Sequence, residues 1–145
     1  MLELDGGRVT QPLTTCPIPF DNNFHHYVVV WCGVYGRWQV YVDGNIMSGG
    51  SHARGYIIPE GGYIVIGQQH DTGTVIDDPL TAFQGEIAYM NIWNFVVNGV
   101  EARKLAEDNG LVQGSIVSWD QARLKYNGDS LDIRSVVSSE EFFKA

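Results

Sequence analysis

The chain holds 145 residues, with 9 Lys plus Arg against 17 Asp plus Glu and a net charge of −8; that length fits one domain or a piece of one. Hydrophobic residues make up 44%, which rules out disorder as the default, and 12% aromatics with 17 glycines and few charges point to a turn-rich β domain rather than a helical bundle. No Lys or Arg falls between Arg54 and Arg103, an interval carrying Glu60, Asp71, Asp77, Asp78, Glu86 and Glu101; such a surface excludes nucleic acid, which needs clustered cations, and suits metal ions or a basic partner.

In chain order, Met1-Leu2-Glu3-Leu4 and Arg8-Val9-Thr10 flank Asp5-Gly6-Gly7 as a divergent hairpin. The continuous apolar run Tyr27-Val28-Val29-Val30-Trp31 is expected to be a buried strand, and 38–42 pairs with it as a hairpin through the Gly-containing link 33–37. Asp43-Gly44 signals a turn. The Gly-rich stretch 46–54 is predicted to be a loop, 55–59 a short strand ending at Pro59, and 63–67 a strong strand. A polar stretch then runs over 68–81, a length of loop that is usually functional.

Residues 83–93 return to strand, with Ile87, Tyr89, Asn91 and Trp93 on one face and Glu86, Ala88, Met90 and Ile92 on the other. Asn98 is placed to cap a helix over 100–107 that Asn109-Gly110 closes. Strands at 116–119 and 131–137, the latter after an Asn127-Gly128 turn, complete the pattern, and the tail 138–145 carries Phe142 and Phe143. Strands about every ten residues with one late helix describe an all-β antiparallel sandwich.

No apolar run approaches the ~20 residues of a membrane helix, and no basic-plus-apolar leader opens the chain, as in a mature or truncated product. Cys16 and Cys32 allow one disulfide, as in a secreted protein, or two buried thiols. His25 and His26, adjacent at a strand start, face opposite sides and are assigned a structural role. His52 and His70 are isolated, and nothing has zinc-ligand spacing. Glu86 alone accompanies the aromatics of 86–93, whereas a glycosidase needs two carboxylates roughly 5–9.5 Å apart. With no G-x-S-x-G elbow and no phosphate loop either, no enzyme is expected. Trp31, Trp93 and Trp119 are assigned to the core, and Trp38 is the most exposed candidate.

From Phe24-His25-His26-Tyr27-Val28-Val29-Val30-Trp31 onward the chain resembles the pentraxins and the wider laminin-G and concanavalin-like jelly rolls. The resemblance continues through Val40-Tyr41-Val42-Asp43-Gly44, Ile66-Gly67-Gln68-Gln69-His70-Asp71, Asp78 to Ile87, Asn91-Ile92-Trp93-Asn94 and Ile116-Val117-Ser118-Trp119. It divides the chain into a divergent segment 1–24, a jelly roll 25–137 with one short helix on a face, and a tail 138–145.

What the resemblance implies is calcium in the loop after the Gly-Gln strand, bridging to carbohydrate or phosphorylated ligands. Calcium takes six to eight oxygens. Asp71 and Asp78 match the family's loop carboxylates, and His70 stands where a main-chain carbonyl is supplied. Gln69 replaces a usual Glu, and Thr81 a usual Gln. The family's upstream Asp-Asn pair has no equivalent, because Asp21-Asn22-Asn23 lies too close to His25. The expectation is at most one weak calcium. The family's usual Cys pair does not align either, so a Cys16–Cys32 bridge stands as a separate expectation. Much of the N-terminal third of a family domain is absent or replaced, as in a segment of a larger protein or one completed by a partner.

The function expected from the resemblance is an extracellular, secreted, non-catalytic recognition or adhesion module for carbohydrate, phosphorylated or protein ligands. It would act as a homo-oligomer or within a larger chain, without membrane insertion. The alternative is a structural assembly subunit of a matrix or filament protein with a degenerate metal site.

Overall fold

The computed structural model describes Pro19, residues 21–58, Ile66, 70–71, 74–75, Phe83, 85–108 and 112–119. Three antiparallel strands, β1 (Tyr27–Cys32), β2 (Arg37–Val42) and β3 (Asn45–Ser51), form a sheet in the order β1-β2-β3. A second, two-stranded sheet pairs β4 (His70–Asp71) with β5 (Thr74–Val75), and one helix, α1 (Gly99–Glu107), follows.

The expected β1–β2 hairpin forms, in the register Val28↔Tyr41, Val30↔Gln39 and Trp31↔Trp38. Its burial differs from the expectation of a wholly buried run. Val28 and Val30 are buried, while Tyr27 and Val29 stand 42% and 44% exposed on the opposite face. A pleated strand points alternate residues to opposite faces, and α1 covers only one of them. Val28, Val30 and Tyr41 pack there with Val97 and Ala102, flanked by Leu105. Each buried valine contributes roughly 1.5–3 kcal/mol over an exposed one.

The predicted loop over 46–54 is mostly strand instead, because β3 runs to Ser51. Asp43 and Gly44 adopt φ +50° and +75°, the left-handed pair of the two-residue turn that matches strand twist and folds the chain straight back. Backbone pairing with β2 outweighs the low strand propensity of Ser48-Gly49-Gly50. A Cβ on Gly44 would also stand 2.8 Å from Arg103 Cα, so this turn and α1 approach backbone to backbone.

The helix starts where Asn98 places it. Asn98 Oδ1 accepts from the N–H groups of Val100 and Glu101 at 2.9 and 3.1 Å, and Glu101 Oε2 accepts from Asn98 N–H at 2.8 Å. This reciprocal box satisfies helix-end donors that would otherwise lack partners. Asp108 ends the helix. The expected Asn109-Gly110 stop lies outside the described residues, as do 63–65, 131–137 and the tail.

Two strand expectations are corrected. Residues 55–58 form turn and extended backbone, not strand. The described residues of 83–93 and 116–119 form no ladder either, only one isolated antiparallel bridge, Ile92↔Val117. Tyr89 sits at φ +56°, and a left-handed aromatic residue interrupts the alternation the sequence pattern suggested. Side chains hold the two segments together instead. Asn91 Oδ1 accepts from the N–H groups of Gly114 and Trp119 at 3.0 and 3.2 Å. Trp93 Nε1 donates to the Gln113 carbonyl at 3.0 Å, and Asn94 N–H donates to Ser115 Oγ at 3.1 Å. Trp31, Trp38, Trp93 and Trp119 are all half-buried. Trp31 and Trp38 are directly opposed, so Trp38 is no more apart from the sheet than its neighbour.

Candidate functional site

The polar stretch 68–81 is not structureless. His70 pairs with Val75 and Asp71 with Thr74, which leaves two residues between the paired ends. The local sequence explains it: Asp71-Thr72-Gly73-Thr74 combines turn formers with β-branched residues. The hairpin therefore puts His70 and Asp71 on one short strand. Gln69, Asp78 and Thr81 lie outside the described residues. Cys32, half-buried at the end of β1, is a free thiol, and Cys16 lies outside the described residues.

As chemistry, the expected donor set is all oxygen: carboxylates from Asp71 and Asp78, an amide oxygen from Gln69, a hydroxyl from Thr81 and the His70 carbonyl. Such donors fit a hard divalent cation, and two carboxylates make a weaker site than three. Among the described residues, no three His, Cys, Asp or Glu side chains converge as a metal group.

A concave feature lies beside the helix. The β2–β3 turn supplies Gly44, Asn45 and Ile46, the start of α1 supplies Gly99, Val100 and Arg103, and Tyr41 lies between them. The open groove has a volume of about 620 Å³. Ile46 and Val100 are exposed at its rim.

At the entrance to β1 the sequence reading missed a charged cluster. Asp43 Oδ1 accepts from the His26 backbone N–H at 2.9 Å, and Asp43 N–H donates to the His26 carbonyl at 2.8 Å. The His25 ring spans two carboxylates, with Nδ1 2.8 Å from Asp43 Oδ2 and Nε2 3.0 Å from Asp21 Oδ1. Asp43, then Asp21, raise the His25 pKa above its ordinary value. The His25 ring, then Asn23, hold the Asp21 carboxyl down at about 2. Partial burial pushes Asp43 up, but the His25 ring and the His26 N–H outweigh it and keep it below the usual range. Burial lowers the His26 pKa against the pull of Asp43, and His26 Nδ1 has no hydrogen-bond partner among the described residues. The two histidines thus have structural surroundings, and Asp21 is engaged by His25 and by the Asn23 N–H at 3.0 Å. The turn signal Asp43-Gly44 was visible in the sequence; its pairing with a ring 18 residues upstream was not.

Known proteins resemble this chain. The model of the Pentaxin family matches residues 7–133, taking in most of the segment ahead of β1. Human neuronal pentraxin-2 is 32% identical over 100 residues, covering 68% of this chain and 23% of that protein. The mouse sushi, von Willebrand factor type A, EGF and pentraxin domain-containing protein 1 is 32% identical over 112 residues, 75% of this chain and 3% of that protein. The native heptameric SAP-like pentraxin from Limulus polyphemus superposes with a TM-score of 0.66 at 28% identity, over 74% of this chain and 51% of that one. The chain thus spans about half of that solved relative and a smaller share of the other two. The described antiparallel sheet and short helix fit the β-sandwich jelly-roll fold of that relative. With most of its length matched by the family model, the chain belongs to the Pentaxin, or pentraxin, family.

Proposed function

We propose that the chain is an extracellular, secreted, non-catalytic recognition module, and that calcium held in the 68–81 loop assists ligand binding. The observation that carries the reading is the family match over 7–133, and the oxygen-bearing residues expected in that loop, with Asp71 on the β4–β5 hairpin, support it. Asp71 and Asp78 would hold the ion, helped by Gln69, Thr81 and the His70 carbonyl. Bound calcium supplies a positive centre for carbohydrate hydroxyls, phosphate or a protein carboxylate. Among the described residues, no helix is long and apolar enough to cross a membrane. The module acts as a homo-oligomer or within a larger chain, and a solved relative is a heptamer. In this reading residues 25–137 form the jelly roll and 1–24 a divergent lead segment.

A second reading has specific support. Gln69 and Thr81 replace a carboxylate and an amide, which favours an assembly subunit whose metal site has decayed. Thermal melting in calcium and in chelator separates the two. A ligand that binds only the native state raises its stability, by about 1.4 kcal/mol at ten times the dissociation constant. For a chain of this size that is roughly 3–6 °C. A shift at millimolar calcium that disappears in D71N and D78N supports the metal-assisted module. No shift removes calcium from the proposal and leaves the assembly reading.

A further inference from the structure

Two carboxylates from different parts of the chain close on opposite edges of one imidazole. Asp21 precedes β1, Asp43 sits in the β2–β3 turn, and the His25 ring between them is only 18% exposed. An ionised carboxylate accepts hydrogen bonds and donates none, while a neutral imidazole carries a single N–H. Contacts of 2.8 and 3.0 Å at both ring nitrogens are therefore both hydrogen bonds only when both nitrogens carry protons. We infer that His25 is a protonation-dependent latch: as an imidazolium it ties the segment ahead of β1 to the β2–β3 turn, and on losing a proton it lets one carboxylate go.

The groups that face the latch fix its pH window. From the lead segment comes Asp21, from the turn Asp43 and from the strand entrance His26, while α1 reaches the neighbouring Gly44 with the Arg103 backbone. The folded-state pKa of His25 lies above 6.5, so its contribution is complete below 6.5 and is lost as pH rises through the folded value. Asp21 and Asp43 have depressed values, so theirs is present above 3.8 and lost as pH falls through the folded values. The latch is fully closed between those limits. His26 works in the opposite sense. Burial keeps it neutral when folded, and the unfolded chain takes up a proton as pH falls through 6.5, which costs stability there. The two neighbouring histidines thus act on opposite sides of pH 6.5, and a bulk melting curve reports both without saying which ring titrates.

The turn that the latch ties down also supplies Gly44, Asn45 and Ile46 to the groove beside α1.

Site-resolved measurement tests the inference. Long-range proton–nitrogen correlation spectra of the imidazoles, recorded on the full chain across neutral pH, should show His25 with both ring nitrogens protonated at pH 6.5 and a titration midpoint above that value. His26 should titrate below it. A singly protonated His25 ring at pH 6.5, or a midpoint at or below 6.5, overturns the latch. In H25Q the melting-temperature deficit relative to wild type should shrink as pH rises above 6.5, and a deficit that does not change with pH also overturns it. Should H25Q not fold, the wild-type spectra decide alone.

Discussion

Residues 27–51 and residues 85–119 solve the same problem by different means. In the first, backbone pairs with backbone over three strands, and side chains only choose the face. In the second, among the described residues, one bridge at Ile92 and Val117 is supplemented by side chains that reach across and hold the opposite backbone, with Asn91 taking two N–H groups at once. A ladder spreads its hydrogen bonds over many residues, so no single side chain is critical to it. A clamp concentrates them, so the loss of one residue leaves several backbone donors without acceptors.

The largest effect should therefore come from the clamped region. N91A strands the donors of Gly114 and Trp119 in a part-buried setting and should cost about 3 kcal/mol in urea denaturation at unchanged m-value. A loss below about 0.5 kcal/mol would show that the bridge alone carries that region. In the ladder region the sensitive point is the turn rather than the strands. G44A puts a side chain at φ +75° and against the Arg103 backbone. About 2 kcal/mol is expected, and an unchanged denaturation midpoint would mean that the turn and α1 separate easily. The smallest effect belongs to α1, which packs on the ladder through Ala102 and Leu105: N98A removes the cap for about 1 kcal/mol. Adding E101A should cost less than the sum of the two single changes, because both belong to one reciprocal box. Strict additivity would contradict the box.

That contrast also explains what was legible beforehand. The continuous apolar run 27–31 and the Gly-containing link 33–37 announced the β1–β2 hairpin, Asp43-Gly44 announced the turn after β2, and Asn98 announced the helix. β3 was hidden because Ser48-Gly49-Gly50 has no apolar alternation; its pairing is dictated by the turn before it. The stretch 83–93 misled in the opposite direction. Its alternation is real, but Tyr89 turns left-handed and Asn91 takes over the bonding. The 68–81 loop was legible as a polar excursion, and its β4–β5 hairpin was concealed in two short pairs of residues. The His25 latch was illegible for a different reason. Its chemistry arises from three residues separated by up to 22 positions, and only the closing of the hairpin brings the third to the other two.

The segment 52–56 folds back over the β1–β2 turn. Trp31 Nε1 donates to the His52 carbonyl at 3.2 Å, and its ring lies 6.3 Å from that of Tyr56 at a 60° tilt. Two chromophores locked at a fixed skew in an asymmetric setting couple their transitions, so the fold carries its own optical reporter. Near-ultraviolet circular dichroism at the indole band records whether this flap is docked, without any label.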